Sequence, residues 1–121
     1  MIVYKLAETE KKFADIIWDM EPIPSMELVR ICEEKLHWKK STTYTVLKKL
    51  CVRGIFQNEN AVVTARISRD EFYAEKSRQF VQDTFHGSLP QFLTAFIGRK
   101  KLSKEQVDEM KRLIESYQEE D

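Results

Sequence analysis

The stretch WKKSTTYTVLKKLCVRG, from Trp38 to Gly54, decides the reading of this chain. Thr43, Val46, Leu47 and Leu50 fall on one side of a helix at about 100° per residue, which predicts a helix from Lys40 to Arg53. Gly54 then occupies the position after the helix end, where a left-handed residue costs least. Ser41, Thr45, Lys48 and Val52 point away from the apolar side, and Thr42, Tyr44 and Lys49 flank them. Lys39, Lys40, Lys48, Lys49 and Arg53 give residues 38–53 a net charge of +5 with no acid among them.

Upstream, Leu6 to Met20 reads as a first helix with Phe13, Ile16, Ile17 and Met20 on one face and Ala14 beside it. Pro22 and Pro24 end it. Ser25 is placed to cap a second helix, because its hydroxyl can accept an orphan backbone N–H. Leu28, Val29, Cys32 and Leu36 form that helix's buried stripe. Downstream, Ile55–Glu59 and Ala61–Ile67 read as two short strands around a turn at Asn58-Glu59-Asn60. Residues 1–67 therefore read as three helices and a hairpin.

Residues 68–121 read as helical throughout. Ser68 to His86 carries Phe72, Tyr73, Phe80, Val81 and Phe85, and Gly87 breaks it. Ser88 can cap a short helix with Pro90 in its first turn. There Leu89, Phe92, Leu93, Phe96 and Ile97 recur at amphipathic spacing, and Gly98 closes it. Ser103 and Gln106 form a capping box, with Leu102 and Val107 placed as a hydrophobic staple. A last helix runs to about Glu119, with Val107, Met110, Leu113, Ile114 and Tyr117 on its inner side. The expected fold is mostly α, in two domains divided at 67/68.

Composition excludes several classes. The chain has 121 residues, 42% of them hydrophobic, with only 3 Gly and 3 Pro, which suits a packed helical domain rather than a turn-rich β protein. The start lacks a signal peptide's apolar stretch, and no run approaches the roughly 18 apolar residues of a membrane span, so a cytoplasmic location without membrane insertion is expected. Cys32 and Cys51 sit among helical apolar positions and read as reduced thiols. His37 and His86 lack ligand-spaced neighbours, so no metal and no cofactor are expected. No nucleophile elbow, phosphate loop or paired acid/base carboxylates occur, so no catalytic residue is assigned and the chain is not expected to be an enzyme.

Net charge is zero, with 20 basic and 20 acidic residues, which argues against bulk attraction to nucleic acid. By segment, however, residues 1–37 carry −3, 54–67 zero and 68–121 −2, so the positive excess lies wholly on the third helix and its approach. Short hydroxyls followed by lysines suit a helix laid in the major groove of double-stranded DNA. A helix after a helix-turn-helix pair is also where a recognition helix belongs. The alternative is a protein-interaction module that uses the same helix as a docking face without binding DNA.

Leu6, Glu10, Ile16-Ile17-Trp18, the run Trp38-Lys-Lys-Ser-Thr-Thr-Tyr-Thr45, Leu47, Leu50 and Arg53-Gly54 resemble the BlaI/MecI/CopY family of bacterial penicillinase-type transcriptional repressors. The resemblance covers almost the whole chain and is most specific from Trp38 to Gly54. It implies a winged helix-turn-helix domain over 1–67 and a three-helix dimerisation domain over 68–121. The implied function is a homodimeric repressor on a two-fold symmetric operator of a β-lactam-resistance-type or related stress operon. Carried onto this chain, its recognition positions are Ser41, Thr42, Tyr44, Thr45 and Lys49. The facing argument adds Lys48, and Lys39 and Lys40 stand where relatives often carry Ser-Pro, adding two phosphate-directed charges. The wing lacks the Gly-Arg often found at its tip, and Arg66 is the substitute.

Dimerisation is assigned to Phe72, Tyr73, Phe80, Phe85, Leu89, Phe92, Leu93, Phe96, Ile97, Val107, Met110, Leu113, Ile114 and Tyr117. Three short helices expose more apolar stripe than about 50 residues can fold over alone. In the penicillinase-type branch a membrane sensor protease pathway triggers cutting at an Asn-Phe bond. The matching bond here is Ala95–Phe96, with Ala in place of Asn. In the copper-type branch Cys-x-Cys pairs near the C-terminus sense metal, and this chain ends without a Cys. Repression is expected to be relieved when the dimerisation domain loses its integrity.

Overall fold

A computed structural model describes residues 2–119. The elements run α1 (Glu8–Met20), β1 (Ile23–Pro24), α2 (Ser25–Leu36), α3 (Lys40–Val52), β2 (Phe56–Glu59), β3 (Val62–Ala65), α4 (Arg69–Phe85), α5 (Leu89–Ile97) and α6 (Lys104–Ser116). The chain groups into two compact units, Met1–Gln79 and Phe80–Asp121. The division falls inside α4, so 68–79 group with the first unit rather than starting the second at 68.

The first unit is a winged helix-turn-helix. Phe13, Ala14 and Ile17 of α1, Leu28, Val29, Ile31 and Cys32 of α2, and Thr43, Leu47 and Leu50 of α3 are buried. The periodicity anticipated these stripes except Ile31; Met20 is exposed instead of joining the core. α2 ends on His37 in the left-handed conformation, and three residues, His37–Lys39, turn the chain into α3. Gly54 sits at φ +83° beyond the end of α3, and a Cβ there would press on Ile2 Cγ1 at 3.1 Å.

The sheet has a strand the sequence did not announce. The order is β1-β3-β2, all antiparallel, with Ile23 opposite Val63 and Pro24 opposite Val62. Pro24 lacks an N–H to donate, which an edge strand tolerates. β2 and β3 pair from Phe56↔Ala65 to Glu59↔Val62. The turn between them lies one residue later than expected, at Asn60 and Ala61, both with positive φ. That pair of left-handed residues matches the twist of a tight hairpin. The Ala61 carbonyl accepts the Ser25 N–H at 2.8 Å, which ties the turn to the start of α2.

Ser25 is therefore not the cap of α2 but its first residue, preceded by Pro24, and its side chain makes no cap bond. α4 opens with the Ser68 hydroxyl accepting the Glu71 N–H at 3.1 Å. Arg69 then bonds Asp15 Oδ1 at 3.1 Å and Asp19 Oδ1 at 2.7 Å, and Phe72 is 0% exposed among Tyr4, Trp18 and Tyr73. These contacts bind the first turns of α4 to the first unit. They also correct the interface assignment of Phe72: a side chain with no exposed surface has none to give a partner. Tyr73 is half-buried, its ring 5.2 Å from that of Phe72 and 6.1 Å from that of Trp18, and it belongs to the same cluster.

In the second unit the local signals appear as read. The Ser88 hydroxyl accepts the Gln91 N–H at 3.2 Å. Ser103 Oγ accepts the Gln106 N–H at 3.1 Å, and Gln106 Oε1 accepts the Ser103 N–H at 3.2 Å, a complete capping box. α6 stops at Ser116, short of Glu119. Among the described residues, no helix is long and apolar enough to cross a membrane.

Candidate nucleic-acid interface

α3 carries most of the candidate site, and its two sides differ sharply. Thr43, Leu47 and Leu50 face the core, whereas Ser41, Thr42, Thr45, Lys48, Lys49 and Val52 are exposed. Lys39 is the N-cap residue and Lys40 the first helical residue; both are exposed, and no side chain caps the helix start. The first turn of α3 thus offers unpaired backbone N–H groups, two ammonium groups and two hydroxyls on one surface.

Three expected contacts are qualified by their bonds. The Tyr44 hydroxyl lies 3.2 Å from Ser25 Oγ and 3.6 Å from Met26 Sδ, so it spans from α3 to the start of α2. Ser25 is 4% exposed, so this bond is part of the helix-turn-helix packing. Thr45 Oγ1 donates to the Ser41 carbonyl at 2.8 Å, within α3 itself. Lys49 stands near Glu10, whose carboxyl it helps hold ionised, so its charge is partly balanced.

Arg53, the fifth charge of the segment, is spent on structure. Its Nη1 bonds Glu10 Oε1 at 2.9 Å and the Lys5 carbonyl at 3.0 Å. Glu10 also accepts the Ala7 N–H at 2.8 Å. That backbone bond is the largest cause holding the Glu10 carboxyl below its ordinary range; burial opposes it, and the Arg53 guanidinium adds to the lowering. Among the described residues Lys39, Lys40 and Lys48 make no ion pair, and they carry the segment's remaining positive charge. Nothing in the linear sequence paired Arg53 with Glu10; only the packing of α1 against the end of α3 brings them together.

Arg66 follows β3 at the end of the hairpin away from its turn, and its N–H donates to the Ile55 carbonyl at 2.8 Å. It is exposed, but it does not stand at the wing tip, where Glu59, Asn60 and Ala61 carry no cation. A shallow cleft lined by Tyr44, Leu47, Lys48, Cys51 and Asn58 separates α3 from the wing. Burial pushes the Cys51 thiol up, with Arg66 opposing, and pushes Cys32 up to about 11, so both stay protonated at neutral pH. Trp18 and Trp38 pack on core rings, Trp18 on Phe56 at 5.4 Å and Trp38 on Phe13 at 5.3 Å.

The second unit presents the other candidate surface. α5 and α6 bury no residue. Phe80, Phe85, Phe92 and Phe96 stack as neighbours at 5.6–6.2 Å, yet Phe96 remains 73% and Tyr117 81% exposed. Leu89, Leu113 and Ile114 are also exposed, and Leu93, Ile97, Val107 and Met110 half-exposed. Ala95 and Phe96 lie in the last turn of α5, where the Gly98 N–H closes on the Thr94 carbonyl at 3.0 Å. Among the described residues no cluster of His, Cys, Asp or Glu is placed to hold a metal ion.

Comparison with known proteins accords with this arrangement. The family model described as penicillinase repressor matches residues 6–116. A penicillinase repressor of Bacillus licheniformis is 21% identical over 117 residues, covering 93% of this chain and 91% of the relative.

Proposed function

The chain belongs to the penicillinase repressor family, whose members are DNA-binding transcriptional regulators and not enzymes, and on that premise we propose a homodimer that represses by lying across a two-fold symmetric operator. One protomer sets α3 into the major groove of each half-site. Lys39, Lys40 and Lys48 meet phosphates, while Ser41, Thr42 and Thr45 face base edges. Tyr44 acts from behind, holding α3 against α2, and Lys49 and Arg66 stand at the margin of the contact. The observation that carries this reading is the exposed face of α3, with hydroxyls in its first turns, lysines beyond and no acid.

The exposed stripe of α5 and α6 is the surface we assign to a second copy of this chain. Phe96 and Tyr117, at 73% and 81% exposed, gain most by leaving water, and a two-fold symmetric pair lets the same patch cover itself. Relief of repression then follows from loss of that pairing. The Ala95–Phe96 bond is the candidate cutting point, reached through a membrane sensor protease pathway, and cutting requires the last turn of α5 to unwind. The regulated genes belong to a β-lactam-resistance-type or related stress operon, and the repressor works in the cytoplasm.

Salt dependence of binding tests the DNA reading. Three free lysines per protomer, six per dimer, predict that log K falls with log salt at a slope of about −5. The measurement is a mobility shift on a duplex from the promoter of the chain's own operon. Absence of any shift at low salt would overturn the reading and favour the protein-interaction module.

A further inference from the structure

We propose that Thr45 is a specificity-determining residue that reads the C5-methyl group of a thymine in each half-site, an inference that rests on the major-groove reading above. A threonine hydroxyl carries one hydrogen. In Thr45 that hydrogen is given to the Ser41 carbonyl at 2.8 Å. The bond selects one of the two side-chain rotamers open to a helical threonine. With Oγ1 drawn onto the preceding turn, the other substituent of Cβ, the methyl group, is turned away from it. Thr45 is exposed, so that methyl is part of what α3 presents.

The chemistry of the groove then narrows the partner. Purine N7, guanine O6 and thymine O4 require a donor, and Thr45 has none left to give without breaking its intrahelical bond; its Oγ1 keeps acceptor capacity for an adenine or cytosine amino group, which Thr45→Val removes. The rest of α3 offers few two-point contacts, because its exposed lysines Lys40 and Lys48 are assigned to phosphates. Between Lys40 and Val52 there is no Arg to fork onto guanine and no Asn or Gln to fork onto adenine. A methyl-to-methyl contact with thymine needs no donor and is selective, because no other base carries that group.

The test uses the full chain and a duplex recovered by repeated selection from random-sequence DNA. Each thymine of a half-site is replaced in turn by deoxyuridine, which removes only the methyl. For the natural chain, one position per half-site should weaken binding about fourfold, and about fifteenfold when both half-sites are changed. Thr45→Ser should bind the thymine duplex more weakly by the same factor and be indifferent to uridine at that position. Thr45→Val should keep both the affinity and the sensitivity. Melting temperatures of both variants should match the natural chain, since the site is exposed.

Two kinds of result, one from the duplex and one from the variants, overturn the proposal while leaving the repressor reading intact. One is a selected duplex in which no uridine matters. The other is Thr45→Ser as sensitive to uridine as the natural chain, or Thr45→Val losing affinity where Thr45→Ser does not, which would make the oxygen the reading atom. Selection that yields no preferred sequence overturns the operator reading itself.

Discussion

Phe72 and Phe96 carry the same side chain in the same kind of amphipathic run, and the molecule treats them in opposite ways. Phe72 is 0% exposed, enclosed by rings of Tyr4, Trp18 and Tyr73. Phe96 is 73% exposed and touches one ring, that of Phe92 at 5.8 Å. The contrast extends to their surroundings. The first unit is closed by contacts between distant parts of the chain: Arg53 to Glu10, Arg69 to Asp15 and Asp19, and Trp18 Nε1 donating to the Ile67 carbonyl at 3.0 Å. The second is held by local devices, the Ser88 cap, the Ser103–Gln106 box and a run of neighbouring phenylalanines. Local devices form helices, but they leave the apolar stripe in water. Scattered exposed apolar residues are ordinary, whereas a continuous stripe marks an interaction surface. The first unit buries its aromatic cluster, whereas the second leaves its apolar stripe exposed.

Substitution at the two phenylalanines tests that contrast most directly. Phe72→Ala should cost about 3–5 kcal/mol of the first unit's stability in denaturant unfolding, with the association state unchanged in sedimentation. A Phe72→Ala protein of normal stability that sediments as monomer would return Phe72 to the interface. Phe96→Asp should do the reverse. Losing interface contacts worth about 2 kcal/mol per dimer, both copies together, raises the dimer dissociation constant about thirtyfold, and operator binding weakens with it. The first unit's unfolding should not move. An unchanged dimer would break the comparison, because Phe96 would then be a bare residue with no partner.

The distinction between these two residues was not written in the sequence, and the reason is the reach of the signals. Caps, glycine stops and helical periods act over three or four residues, and those for α3, α5 and α6 could be read from Leu50-to-Gly54, Ser88-to-Gln91 and Ser103-to-Gln106. Phe72 and Phe80 look alike within such a window. What separates them is that Arg69 fastens α4 to α1, a contact across some fifty positions. The same limit hid β1, whose two residues become a strand only beside β3, and it made Ser25 look like a cap when its hydroxyl belongs to Tyr44. On the candidate DNA face, which residues point outward was legible, because one helix decides it. How each outward group is already bonded was not: the charge count included Arg53, which Glu10 takes, and counted Thr45 as a free hydroxyl, which Ser41 occupies.

A smaller effect probes the first unit's long-range closure alone. The Glu10 carboxyl is 12% exposed, and its affinity for a proton is lowered by the Ala7 N–H and by Arg53. A carboxyl lowered in the folded state stabilises the fold at pH values above its ordinary 4.5, and that contribution is lost as pH falls through its folded value. Unfolding of the first unit should therefore become easier below about pH 4.5. Glu10→Gln should remove about 1–2 kcal/mol at neutral pH and flatten this acid-side decline. Association through the second unit should be indifferent to the change, since no residue of α5 or α6 takes part. An acid-side profile in Glu10→Gln as steep as in the natural chain would assign the loss to other carboxylates.

The smallest effect has the opposite sign and asks whether the first unit's core is as finished as its burial suggests. Thr43 is fully buried on the core side of α3, and among the described residues its Oγ1 has no hydrogen-bond partner. The Cys32 thiol beside it is too weak an acceptor to replace one; the hydroxyl only tempers the upward shift that burial gives that thiol. Val has nearly the shape of Thr without the polar oxygen. Thr43→Val should therefore stabilise the first unit by about 1 kcal/mol in denaturant unfolding. DNA affinity should stay unchanged, because Thr43 lies beneath the exposed face and not on it. A loss of stability instead would mean that the Thr43–Cys32 contact is a working hydrogen bond, and the same experiment on Cys32→Ala would then show the oxygen's cost reappearing. Either sign locates how α3 is fastened: by close apolar packing, which tolerates a buried hydroxyl, or by a polar tie from its inner face to α2.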